Sequence, residues 1–249
     1  DMAKNLAERW NLPMRMMHWV HMVTTLILII TGFKIYLGWG FPATYSDARA
    51  LHMIAVCGFL TANVILLPYG MVLEALEGIK HFGMKQGIKH FIKANMFGIE
   101  DARRLKAILL NFFGRQKEYP ALTIYDENKG VYINRAHPIT KILIVLEAIA
   151  IVLITLTGIV MYDANWSVMG LNIGAAIIGV VRWIIPSGMD AMAFCRTLHL
   201  GTMYYFIFDL FIHVGILQLD TKVIQAWKAM FFTGKEDLSK SPRAKIIKK

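Results

Sequence analysis

Residues 196–219 read RTLHLGTMYYFIFDLFIHVGILQL, one hydrophobic helix interrupted by two histidines. His199 and His213 are fourteen residues apart, almost four α-helical turns, so both rings leave the same face. At 1.5 Å of rise per residue their levels differ by about 21 Å. His18 and His52 lie near the starts of two other apolar segments. Two levels with two imidazoles each is what two stacked bis-histidine haems inside a helix bundle require. The predicted fold class is all-α, an integral membrane four-helix bundle.

Composition supports the membrane. Hydrophobic residues make up 56% of the 249 and charged residues 18%, with a mean hydropathy of +0.48, all beyond ordinary globular averages. This predicts a single membrane domain without a separate soluble core. Cys57 and Cys195 both lie in apolar segments, with no C-x-x-C and no C-x-x-C-H. That argues against a disulfide scaffold, a zinc site and a c-type haem attachment.

A hydrocarbon core of about 30 Å needs roughly 20 apolar residues as helix. Met16–Leu37, Leu51–Leu73, Ile142–Tyr162 and Met192–Leu219 each meet that length. Pro13 and Pro138 sit just ahead of two of them, where proline suits a helix start. Val168–Ile185 is shorter, Gly-rich and carries Arg182; it reads as a short extra helix or re-entrant piece at the outer face. With four spans and a cytoplasmic N-terminus, 23 of the 27 Lys and Arg fall on the cytoplasmic side. Only Lys34, Arg49, Arg182 and Arg196 fall outside, which is the positive-inside bias of a protein in the cytoplasmic (inner) membrane. A fifth span would move the basic tail, 220–249, to the outer side and spoil the bias. The net charge of +10 thus follows from topology, and no nucleic-acid partner is expected. The first segment lacks a convincing signal-peptide cleavage site.

The loop 74–141 is the longest polar connection. Within Gly87–Gln116, Ile88, Phe91, Ile92 and Met96, then Leu105, Ile108, Leu109 and Phe112, recur at helical spacing with Lys and Arg between them. An interfacial helix against anionic lipid, or a docking surface, fits this pattern. Tyr119–Tyr132 is polar with short-strand character.

A lone intramembrane histidine is most simply a hydrogen bond to a neighbouring helix. Four at matching depths point to function. The topology brings His18 and His213 toward the cytoplasmic face and His52 and His199 toward the outer face, so each pair joins two different helices. Arg15-x-x-His18, Arg49-x-x-His52 and Arg196-x-x-His199 repeat one spacing, which returns to the same helix face. Each arginine lies toward the surface from its histidine, where a guanidinium matches a haem propionate. A snorkelling arginine explains one such case well, three less well. Gly32, Gly58, Gly158 and Gly201 within the spans allow a macrocycle or another helix to approach the backbone.

Arg15-x-x-His18-Trp19 followed by Thr31-Gly32, the H-x13-H pair His199/His213, and the single second-span His52 resemble the four-helix di-haem cytochrome b subunits of respiratory oxidoreductases. These are the formate dehydrogenase gamma subunit, nickel–iron hydrogenase cytochrome b and thiosulfate reductase cytochrome b. The resemblance covers all four spans; the long loop departs from shorter-looped members. It implies two haem b groups, with iron held axially by His18/His213 and by His52/His199. It also implies a peripheral iron–sulfur subunit and a catalytic oxidoreductase subunit at the outer face, over Trp39–Arg49 and Trp166–Asp190, and a quinone near the cytoplasmic haem. Formate dehydrogenase members place an Asn–Lys pair at the start of the third span; here that stretch reads His137-Pro138-Ile139-Thr140-Lys141, with histidine for asparagine. Quinone chemistry needs proton donors, and His137, Lys141 and Glu147 are the candidates, with His21 one turn beyond His18. Glu147 reads equally as an ion pair or hydrogen bond within the bundle. Asp209, one turn before His213, is a hydrogen-bonded structural acid, an acceptor for an axial imidazole, or part of a proton path.

The leading function is an electron-transfer subunit between a peripheral enzyme and the quinone pool, in contact with membrane lipid. A stand-alone di-haem oxidase of a diffusible donor such as superoxide is the alternative, disfavoured by the long loop and basic tail. A haem-free transporter or anchor would show no visible spectrum and leaves the R-x-x-H repeats without a reason.

Overall fold

Asn11 starts the first long helix: its side chain accepts from the Met14 N–H, and Pro13 occupies the first turn, where a missing N–H breaks no bond. The computed structural model describes residues 6–39, 43–216, 224–241 and 243–248. A short strand, β1 (Leu6–Glu8), leads into this helix, α1 (Leu12–Leu37), which ends at Gly38 with φ 68°. A capping box between Thr44 and Asp47 opens α2 (Tyr45–Leu60). A π-helical turn, Thr61–Leu66, joins α2 to α3 (Leu67–Phe82), and then come α4 (Met84–Asn95) and α5 (Ile99–Phe112). The hairpin β2 (Thr123–Asp126) and β3 (Val131–Asn134) precedes α6 (Pro138–Tyr162). Two-residue strands β4 (Ser167–Val168) and β5 (Leu171–Asn172) lead to α7 (Ile173–Ile184), then α8 (Ala191–Leu210) with a π turn, Phe211–Ile216. The tail holds α9 (Ile224–Lys228), a π turn (Ala229–Thr233), β6 (Lys235–Asp237) and β7 (Ala244–Ile247). Of the described residues 71% are helical, as the all-α reading requires.

Several boundaries differ from the sequence reading for local reasons. The first helix starts at Leu12, not Met16, because Asn11 caps it. The second is one rod of 38 residues, Tyr45–Phe82, not Leu51–Leu73. Pro68 would leave a carbonyl without a donor in its middle. The Leu67 N–H instead bonds Ala62, five residues back, so the ladder widens to π just ahead of the proline. The third helix starts at Pro138 rather than Ile142. The fourth starts at Ala191, is α-helical to Leu210 and π from Phe211, so even 100° steps hold between His199 and Leu210 but not on to His213. Residues 217–219 of the expected fourth span, and 40–42 of the expected docking stretch, lie outside the described residues.

Leu12–Leu37, Tyr45–Phe82 and Pro138–Tyr162 are long and apolar enough to cross a membrane. Their apolar side chains point largely outward, as Ile54, Val64, Ile149 and Val152 do, which is how a helix meets lipid. In α8, Arg196, His199 and Asp209 dilute the apolar run. With twelve residues, about 18 Å long, α7 is too short to span.

The chain divides into two compact units, residues 142–219 and the rest. In the smaller unit, Val160, Val181, Ala191 and Cys195 form the core. In the larger, α4 folds back along α3 through Gly87, where a Cβ would lie 2.5 Å from the Ile79 backbone. The outer face of α4 exposes Met84, Ile88 and Ile92, with Lys85, Lys89 and Lys93 one residue on.

The expected loop and tail form a folded polar lobe. β7 pairs in parallel with β2, and β6 pairs antiparallel with β1. Arg9, 7% exposed, donates to Glu236, to the Thr123 hydroxyl at 3.2 Å and to the Arg135 carbonyl. Glu236 also accepts from Tyr132 at 2.9 Å and Ser241 at 2.8 Å. Arg135 donates to the Arg9 carbonyl and to Glu74, with its guanidinium 4.1 Å from the Trp10 ring centroid. Replacing Glu236 by alanine leaves a buried guanidinium and two hydroxyls without their acceptor. This variant is expected to lose about 3–5 kcal/mol from the lobe, read as faster limited proteolysis in residues 224–248 with the spans intact.

Candidate functional site

His52 projects from α2 with Nδ1 2.8 Å from the Thr31 hydroxyl of α1. That hydroxyl also lies 2.6 Å from the Ile27 carbonyl, one turn back in its own helix. A hydroxyl has one hydrogen and a carbonyl only accepts, so with both contacts hydrogen-bonded the hydrogen goes to Ile27 and the imidazole N–H donates to Thr31. That assignment puts the ring proton at Nδ1 and the lone pair at Nε2. The smaller unit repeats this arrangement. His199 Nδ1 in α8 is 3.0 Å from the Thr157 hydroxyl of α6, which donates to the Leu153 carbonyl at 2.7 Å. Both threonines are buried, at 0% and 3% exposure. Gly158 follows Thr157 and packs against the ring: a Cβ there would lie 3.4 Å from His199 Cε1, in van der Waals contact.

The other two candidate ligands are half-buried. His18 meets the Phe231 ring edge-on at 5.2 Å, and Trp19 donates to the Phe231 carbonyl at 3.0 Å. Arg15 donates to the Phe232 carbonyl, while its Nε is buried with no partner. His213 lies in the π turn after α8. Arg49 and Arg196 are exposed. His21 turns to Asn63, whose amide nitrogen is 3.0 Å from Nδ1, so the π turn ahead of Pro68 supplies its partner.

The three candidate proton donors are not gathered at one point. His137 caps α6: its Nδ1 accepts from the Ile139 N–H at 3.2 Å, and Nε2 is 3.4 Å from the Tyr119 hydroxyl. Lys141 is fully buried and donates to Asp101 and to the Lys93 carbonyl, each at 3.0 Å. Asp101 also accepts from Arg104, Asn134 and the Gly98 N–H. Glu147 is six residues beyond Lys141, about 240° around the helix, and so points elsewhere. It and Asp209 both act on Tyr205 of α8, whose hydroxyl donates to the Leu143 carbonyl at 3.3 Å. His90 is half-buried against Phe82. Burial, more than the nearby cations, holds its pKa down.

These residues fit haem. Two imidazoles are held through Nδ1 and so can offer Nε2 to iron, and a buried orphan N–H of Arg15 lies one turn from His18. Sequence reasoning missed Thr31, Thr157, Asn63 and Tyr205 as partners. The signal for the first two was present: Thr-Gly occurs at 31–32 and again at 157–158, each ahead of an R-x-x-H.

Comparison with known proteins gives two findings. A family described as prokaryotic cytochrome b561 matches residues 9–233. A Methanosarcina mazei protein named F420 non-reducing hydrogenase II cytochrome subunit is 46% identical over 235 residues, covering 94% of this chain and 84% of its own length. No solved structure matches.

The lobe at the root of α6 carries a pH dependence. Burial first, and then the charges of Arg104 and Arg243, push His137 down to about 4. The unfolded chain takes up that proton near 6.5, so His137 contributes its full stability above 6.5 and loses it as pH falls toward 4. Burial pushes Asp101 up, but its bonds from Lys141, Asn134 and Gly98 outweigh this and hold it below the usual carboxylate range. Its contribution is thus lost only at lower pH. The unfolding midpoint of the protein should fall between pH 6.5 and 4. His137→Asn, which keeps a capping acceptor but cannot titrate, should flatten that slope.

Proposed function

Because the chain belongs to the prokaryotic cytochrome b561 family, a family of haem b membrane electron carriers, we propose that it is a di-haem subunit of an oxidoreductase complex. In this reading it passes electrons between a peripheral partner and the quinone pool. The observation that carries the proposal is the pair of imidazoles, His52 and His199, each held through Nδ1 by a buried threonine hydroxyl of the neighbouring helix, which leaves Nε2 to bind iron. Haem b, when bound, supplies reversible one-electron chemistry at iron. His52 and His199 are the proposed axial ligands on the outer side, and His18 and His213 those on the cytoplasmic side. Arg15, Arg49 and Arg196 are the proposed propionate partners, and the buried Arg15 Nε is the donor best suited to that role.

The proposed quinone site is at the root of α6. His137 is neutral at pH 7, and with Nδ1 accepting it carries its proton on Nε2, the nitrogen facing Tyr119. It holds a proton there for transfer to a quinone oxygen. Lys141 keeps Asp101 ionised and fixes the start of α6 against α5 and β3. Glu147, Tyr205 and Asp209 are a second proposed place for proton storage. A relative named as the cytochrome subunit of a hydrogenase supports a hydrogenase as the catalytic partner, docked through an iron–sulfur subunit. The proposed location is the cytoplasmic membrane with both termini cytoplasmic, following the distribution of Lys and Arg.

A pyridine haemochrome assay on purified protein should give two haem b per chain; none or one removes the proposal. His52→Ala and His199→Ala should each remove one haem and leave the other. Quinol-driven haem reduction in His137→Ala should slow by about 100-fold with both haem spectra intact, and unchanged kinetics would move the quinone site elsewhere. Copurification from native membranes should bring down a hydrogenase.

A further inference from the structure

We infer that Thr31 and Thr157 are positioning residues that set the redox potential of the haem held by His52 and His199. The inference rests on the ligand reading above and adds how each ligand is tuned. Each threonine makes the same two bonds: its hydroxyl donates to a carbonyl four residues back, and its oxygen accepts the Nδ1 proton of a histidine on the neighbouring helix. The two arrangements are built separately, one in each compact unit, from the same sequence elements, Thr-Gly on one helix and R-x-x-H on the other. Independent occurrence of one geometry argues against chance packing.

The chemistry follows from the direction of the bonds. The oxygen that accepts the Nδ1 proton is itself polarised by donating to a helix carbonyl, so the relay strengthens it as an acceptor. An imidazole whose N–H is so engaged is a stronger donor through Nε2 and stabilises ferric over ferrous iron. The hydroxyl also fixes the tautomer: with the proton held at Nδ1, no ring rotation is needed to present a lone pair. A neutral oxygen does this without a second charge in the membrane, where a carboxylate would be costly. Thr31 and Thr157 are buried, so water does not substitute for either hydroxyl.

The test is potentiometric, on detergent-solubilised full-length protein carrying Thr31→Val or Thr157→Val. Valine keeps the shape and removes the hydroxyl; at His199 the Ile154 carbonyl remains as a second acceptor, so the shift in Thr157→Val is expected to be the smaller of the two. The expected result is an upward shift in the midpoint of one haem. At fixed potential its ferric-to-ferrous ratio should fall about tenfold, equivalent to about 59 mV for one electron. The haem that shifts should be the one lost in His52→Ala for the first variant and in His199→Ala for the second. Thr31→Ser and Thr157→Ser, which restore the hydroxyl, should return the midpoint to that of the parent. Loss of that haem in the valine variant with retention in the serine variant supports the inference equally. Unchanged midpoints in the valine variants overturn it, as do equal shifts in both haems, or a serine variant that behaves like valine. Failure of the ligand reading is distinguishable, since both haems would then survive His52→Ala and His199→Ala.

Discussion

A ring N–H buried in a helix bundle inside hydrocarbon must find an acceptor, because water is not there to supply one. This chain meets that constraint with threonine. A threonine in a helix bonds its own carbonyl four residues back, which satisfies its hydrogen and leaves its oxygen facing outward. Set beside a neighbouring helix, that oxygen takes the imidazole proton. The histidine is then both satisfied and fixed in the tautomer that an axial ligand needs. The approach of α2 to α1 and of α8 to α6 serves this contact.

A second constraint governs the polar lobe. Arg9, Arg135 and Lys141 lie at or below about a tenth exposed, and a buried cation without a partner is costly. Glu236, Glu74 and Asp101 answer them one for one. Such pairs add little net stability over an apolar core, but they fix which segments meet. Here they bind the N-terminal segment, the middle of α3, the α5 helix and the tail to the root of α6. The start of that helix is therefore held from several directions.

Irregular helix geometry has local causes and functional consequences. Pro68 deletes a donor in the middle of a 38-residue helix, and the π turn that absorbs the loss presents Asn63 to His21. The turn that carries His213 is also π, so the angular relation of His199 to His213 is not the one that fourteen α-helical residues would give.

The sequence by itself determined the membrane class, four apolar segments, the shorter apolar stretch that holds α7, and the amphipathic α4 and α5. Those follow from composition and from 3.6-residue periodicity, which depend on each segment alone. Helix ends shifted where caps such as Asn11 acted outside the apolar run. Only tertiary structure decided that the 74–141 loop and the tail fold together: Lys235–Asp237 is a polar tripeptide with no strand pattern, and it becomes a strand because β1 offers it a ladder. Tertiary structure also decided that Lys141 is the ion-pair partner of Asp101 at the root of α6. The Thr-Gly repeat was legible as letters, but its meaning was not. A hydroxyl becomes an imidazole acceptor only when two helices bring it within 3 Å of the ring, and that distance is a property of packing between segments far apart in the chain.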